Sequence, residues 1–298
     1  MLVPERVRKC VCFLGIKQGD QFRPRATAFA IEIEDEQQHR WRYLVTAEHV
    51  VARSLSLGHD LWLRINGRDA EPTEIKIDPS SWYFHPNSAE AATDVAVCPI
   101  SFDHSDEINP VPIHGPKSVA ATRAIIDEIK IGVGDEVVVA GLFRSHYGRQ
   151  RNVPIVRIGN VAMLDGEPVK ARNGSYMEAY LIEARSIGGL SGSPAFVHLP
   201  AIRTVDGKTD LRGGKPFYQI YLLGLMHGHF DVENLNLDVV LDDARDASSG
   251  IHSGIGVVIP VEKIIDTVMQ AKLVEARMKA LQESEIAGKT ISKVHHAE

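Results

Sequence analysis

Cysteine is scarce in this chain. Cys10, Cys12 and Cys98 are too few, and odd in number, for a disulfide framework. Cys10 and Cys12 lie two residues apart, so on a strand they face the same way and do not bond each other. All three read as small buried apolar residues in a reducing setting. No Cys/His spacing matches a structural zinc site, so no metal is expected. Long apolar runs are also missing: nothing near the N-terminus resembles a signal peptide, and no stretch approaches a membrane span. A cytoplasmic location with no membrane partner is therefore expected. Positive charge is not in excess, with 33 Lys and Arg against 39 Asp and Glu and a net charge of -6. No global basic field is available to recruit nucleic acid. Internal repeats and low-complexity tracts are absent.

What remains is a chain of 298 residues, 44% hydrophobic and 24% charged, long enough for one large domain or two modest ones. Short β-like runs dominate it. VRKCVCFLGI (7–16), ATAFAIEIE (26–34) and WRYLVTA (41–47) carry alternation or β-branched and aromatic content, and LWLRING, TEIKID and TDVAVCPI continue the series to about residue 100. The Pro-rich stretch NPVPIHGPKS (109–118) reads as a connector. A second series follows at 135–143, 152–164, 177–184, 193–199, 217–226 and 254–261. Two sets of short strands predict two β units, sandwiches or barrels, divided by the connector. One strong helix is predicted from Val261 to about Glu285, with Val261, Ile264, Ile265, Val268 and Met269 at helical spacing. Its length past Lys272 exceeds what one barrel covers and offers a surface to a second copy or a regulatory partner. The acidic segment 231–253 carries no clear element.

The stretch GGLSGSPAF (188–196) crowds glycines around Ser191. Glycine is costly in regular structure, so the cluster implies unusual backbone angles or close approach. A turn with an incidental serine is one explanation. The other is a loop that presents a nucleophile. A serine hydroxyl needs a base to take its proton, and the base needs a third group to hold its tautomer. Histidine suits the first role because its pKa lies near working pH. VTAEHV places His49 just after an apolar strand, and TDVAV places Asp94 at the mouth of another.

VTAEHV, DVAV and GGLSGSP, in that order, resemble the three signature segments of chymotrypsin-fold (trypsin-like) serine peptidases. GLSGSP with GIGVVIPV and a C-terminal helix is similar to the bacterial-type members. The resemblance spans roughly residues 7 to 275. It implies an all-β fold of two six-stranded antiparallel β-barrels and a C-terminal α-helix. The N-terminal barrel (1–115) would carry His49 and Asp94, the C-terminal barrel (116–260) Ser191, and 261–298 the helix and tail. It implies His49 as general base, Asp94 as its orienting partner, Ser191 as nucleophile, and the N–H groups of Gly189 and Ser191 as oxyanion hole. The reaction would be peptide-bond hydrolysis through an acyl-enzyme, on protein or peptide substrates, with no cofactor. The alternative is a catalytically silent trypsin-fold module that binds a peptide or protein in the same cleft.

Several positions depart from the family pattern. Leu190 replaces the aspartate that pairs with a new N-terminus in the digestive enzymes, so activation by N-terminal cleavage is not expected and other packing must hold the loop. Glu48 stands where a small residue is usual and is expected to point to solvent. Arg185 resembles the residue at the base of the specificity pocket and would favour an acidic P1 side chain. Met226 and His227 fall on the strand that lines this pocket. Strict alternation turns His227 to the face opposite Met226 unless a bulge intervenes. No serine stands before Gly228 to steady Asp94 from behind.

Overall fold

The structure, a computed structural model, describes residues 2–68, 71–88, 93–103, 105–164, 167–170, 175–184, 190–205, 207–211, 220–231 and 252–286. Arg185, Gly189, most of the acidic 231–253 segment and the tail after 286 lie outside the described residues. Among those described, no helix is long and apolar enough to cross a membrane.

The N-terminal half opens with a short helix, α1 (Glu5–Lys9), and then builds β1 (Val11–Gln18), β2 (Gln21–Glu34), β3 (Arg40–Thr46), helix α2 (Glu48–Ser56), β4 (Leu61–Ile65), β5 (Thr73–Ile77), β6 (Tyr83–Phe84), β7 (Ala96–Pro99) and β8 (Val111–His114). They form one eight-stranded sheet in the order β5-β4-β1-β2-β3-β7-β6, with β8 added in parallel to β2. This differs from the expected second six-stranded barrel: among the described residues, no hydrogen-bonded pair joins β5 to β6 to close the sheet. The central strands are buried on both faces. On β1, Phe13 packs into one apolar cluster while Cys12 and Leu14 pack into another. That two-sided burial explains why the segment reads as a continuous apolar run rather than a clean alternation.

The C-terminal half begins with helix α3 (Arg123–Ile129), started by the Thr122 side chain accepting from the Ile125 N–H at 3.4 Å. Strands β9 (Glu136–Gly141), β10 (Ile155–Met163), β11 (Val169–Lys170), β12 (Tyr176–Met177), β13 (Tyr180–Glu183), β14 (Pro194–His198), β15 (Ile202–Val205), β16 (Lys208–Leu211), β17 (Ile220–Asp231) and β18 (His252–Pro260) follow. Six of them close a barrel in the order β10-β13-β18-β17-β14-β9, as the resemblance implies for this half. Val139, Ile182, Leu223, Met226 and Val258 are part of one of its cores, with Ile126 of α3 beside them. The short helices α1, α2 and α3 were not expected; at five, nine and seven residues they are too brief to show a helical period in sequence.

The expected C-terminal helix is two helices, α4 (Val261–Val268) and α5 (Ala271–Ile286). Helix α4 buries Val261, Ile264, Thr267 and Val268, and packs against both β17 and β7. It therefore bridges the two halves. Arg277 on α5 donates to the Tyr43 hydroxyl at 2.6 Å and the Val268 carbonyl at 2.8 Å, which anchors the start of α5 on the N-terminal sheet. A second bridge is polar. The buried Arg64 guanidinium on β4 donates to the Gly148 carbonyl, the Arg149 carbonyl and Asn152 Oδ1 at 3.1, 2.6 and 3.0 Å, holding the β9–β10 loop.

Candidate active site

Strand pairing brings His49 and Asp94 together. Strands β3 and β7 are antiparallel with Thr46 opposite Ala96. Two further steps along each chain set residue 48 against residue 94, so the first turn of α2 arrives beside Asp94. Both the His49 N–H and the His49 ring engage that carboxylate: the backbone donates to Oδ1 at 2.8 Å, and Nδ1 lies 2.7 Å from Oδ2. The ring is 46% exposed while Asp94 is 8% exposed, so the open edge of the imidazole, with Nε2, is available to a reacting group.

His227 completes this cluster. Its Nδ1 lies 2.5 Å from Asp94 Oδ2, and its ring meets that of His49 edge to face with centroids 5.5 Å apart. The register of β17 against β18 shifts between Met226 and Gly228, a bulge that leaves His227 out of the ladder. Met226 stays inside the barrel core at 1% exposure, while His227 turns to Asp94. The group that steadies Asp94 from behind is thus a histidine, which sequence alternation pointed elsewhere.

Burial opposes charge on Asp94, but the hydrogen bonds from His227 and His49 outweigh it and hold the carboxyl well below the usual carboxylate range. Burial likewise opposes protonation of His49; its bond to Asp94 and the Asp94 charge prevail and raise its pKa. Glu48 does not point freely to solvent as expected. It is half-buried, and burial together with the Asp94 charge pushes its carboxyl up to about 7. Between pH 4.5 and about 7 the folded chain keeps a proton on Glu48 that the unfolded chain releases. Stability present below pH 4.5 is therefore lost as pH rises through this window. We expect Glu48→Gln to match the parent at pH 4 and to exceed it at pH 8 by about 1 kcal/mol, once half-exposure is discounted, in chemical denaturation.

The Ser191 loop is pinned to both halves. The Thr27 N–H on β2 donates to the Ser191 carbonyl at 3.1 Å, and the Gly192 N–H donates to the Met226 carbonyl at 2.8 Å. Leu190 is 2% exposed and packs in the core of the C-terminal barrel, which supplies the apolar hold that its lack of charge predicts. Gly192 sits at φ 80°, and a Cβ there would lie 2.2 Å from the Thr27 carbonyl oxygen and 2.3 Å from Thr46 Oγ1. Only glycine allows this contact. Gly192→Ala is expected to destabilise the chain by roughly 2–4 kcal/mol and to displace the Ser191 loop. Chemical denaturation measures the loss.

Ser191 is half-buried, and among the described residues no hydrogen bond joins its hydroxyl to His49. Gly189 and Arg185, the sequence candidates for the oxyanion hole and pocket base, lie outside the described residues. All three cysteines are free and buried; burial pushes the Cys10 and Cys98 thiols up to about 12 and that of Cys12 well above its ordinary value.

No protein-family model and no curated protein matches the chain. Solved structures do. The protease domain of MamO from Magnetospirillum magneticum is similar at 13% identity and a TM-score of 0.50, over 89% of this chain and 98% of that one. The HtrA-type protease AlgW with a tripeptide gives 18% identity and 0.48, over 91% of this chain and 62% of that one; Deg5 gives 14% and 0.45, over 88% of each. The likeness to the MamO domain, with the closed barrel, establishes the trypsin-like fold.

Proposed function

We propose that the chain is a serine endopeptidase. The observation that carries this reading is the Asp94 carboxylate gripping the His49 ring through Nδ1; the Thr27 N–H donating to the Ser191 carbonyl and the Gly192 N–H donating to the Met226 carbonyl fix the loop that carries Ser191. Bonding at Nδ1 keeps the Nε2 lone pair free to accept the Ser191 proton. Ser191 then attacks a peptide carbonyl, an acyl-enzyme forms as the amine leaves, and water releases it. The N–H groups of Gly189 and Ser191 would receive the oxyanion. The site lies between an N-terminal unit, 1–115, and a C-terminal unit, 116–260, which the helical segment after 260 ties together. With His227 engaged by Asp94 and Met226 buried, a preference for acidic P1 side chains rests on Arg185 alone. Substrates are proteins or peptides.

One observation favours a second reading, a silent peptide-binding module: the Ser191 hydroxyl is not hydrogen-bonded to His49. Catalytic hydrogen bonds often tighten only when substrate arrives, so the protease reading is preferred. Incubating the purified full chain with an unfolded protein substrate and mapping new termini by mass spectrometry separates the two. The protease reading predicts cleavage that a fluorophosphonate blocks. Binding of the same peptides without cleavage supports the module.

A further inference from the structure

His49, Asp94 and His227 form the only group of three convergent metal-ligating side chains found among the described residues. Their ligand atoms all lie within 4.8 Å of one another. Two imidazole nitrogens and one carboxylate oxygen make a donor set that suits zinc, with a fourth position left for water. The two nitrogens stand 2.7 and 2.5 Å from the shared oxygen. A tetrahedral zinc with bonds of about 2.0 Å needs donors about 3.3 Å apart, so each nitrogen has to draw back from the shared oxygen by about 0.6–0.8 Å, while the two nitrogens, within 4.8 Å of each other, stay in reach of one ion. The two histidines are 46% and 32% exposed, so an ion and its water can reach the group from the open side.

We propose that this cluster is an inhibitory binding site for Zn²⁺. The inhibition follows from imidazole chemistry and rests on the protease reading above; the binding does not. In the hydrogen-bonded state, Nδ1 of His49 carries the proton and Nε2 is the acceptor. A zinc ion on Nδ1 needs that lone pair, so the neutral ring carries its proton on Nε2 instead. In that tautomer His49 is a donor toward Ser191 and cannot take its proton. The ion also occupies Asp94, the group that selects the working tautomer. His227 is what converts a two-residue pair into a three-donor site. Chain positions 49, 94 and 227 are far apart, so no sequence spacing signals it.

Calorimetric titration of the full chain with Zn²⁺, and the visible spectrum after adding Co²⁺, test the site without using activity. The chain carries His295 and His296 near its end, so the titration is also run on His295→Ala/His296→Ala. The proposal predicts one equivalent bound in parent and tail variant, with a tetrahedral Co²⁺ spectrum. It predicts affinity at least about 100-fold weaker in His227→Gln, which retains a donor for Asp94, and in His49→Ala at the exposed ring. Circular dichroism confirms that each variant is folded. Hydrolysis by the parent is expected to fall with the same zinc dependence. Binding that survives both site variants, or that vanishes with the tail histidines, overturns the proposal. Hydrolysis indifferent to zinc overturns it and leaves the protease reading standing. Zinc bound at the three residues in a chain that never hydrolyses peptides overturns the protease reading and leaves the site.

Discussion

Ser191→Ala is expected to lower kcat by about 10⁴–10⁶-fold while KM and the thermal midpoint stay close to the parent's. The substitution removes one hydroxyl from a half-buried position and touches neither the backbone bonds from Thr27 and Gly192 nor the Asp94 cluster. On the protease reading the proposed oxyanion donors, Gly189 and Ser191, keep their N–H groups and account for whatever rate persists above that in water. A structural role for the loop would give the opposite split: altered stability with little change in kcat. Steady-state kinetics on a cleaved peptide, with a melting curve on the same sample, distinguish them.

Asp94→Asn is the second large effect, expected at about 10⁴-fold in kcat. Asparagine has one acceptor oxygen where the carboxylate has two, and its amide nitrogen donates. Asp94 at present receives the His49 backbone N–H and faces Nδ1 of both His49 and His227. An amide cannot accept from all three, and an NH₂ facing His49 Nδ1 selects the tautomer with Nε2 protonated, which is useless as a base. Stability responds as well. The Asp94 pKa is lowered by folding, so its contribution is present above the unfolded value of 3.8 and is lost as pH falls below it. Acid denaturation is therefore expected to be steeper below about pH 4 in the parent than in Asp94→Asn. Parallel curves would contradict the grip on this carboxylate.

His49 and Asp94 were legible because VTAEHV and DVAV stand, with GGLSGSP, in the order of the family's segments; the structure adds why the two meet, the pairing of Thr46 with Ala96. The burial of Leu190 followed from its having no charge to pair. The strand spacing of the C-terminal half left a sandwich or a barrel open, and the resemblance implied the closed barrel that forms. His227 was not, because its direction depends on a bulge created by how β17 meets β18, and period-two reasoning has no knowledge of that register. Glu48 was misjudged for a related reason. The first turn of α2 folds back beside Ser88 and Asp94, a contact between segments that are distant in sequence. The N-terminal sheet held a similar surprise: β8 joins β2 in parallel, a pairing that no local pattern announces. The break between α4 and α5 likewise hides in a stripe that continues across it.

The most direct measurement is exposure of the folded, full-length chain to a fluorophosphonate at neutral pH, followed by peptide mapping. A serine whose proton an imidazole can remove attacks phosphorus and keeps the adduct; ordinary serines do not. One adduct per chain, on Ser191, absent from His49→Ala and from denatured protein, is the predicted result. A folded chain that stays unlabelled at Ser191, or that is labelled equally after His49 is removed, would contradict the account.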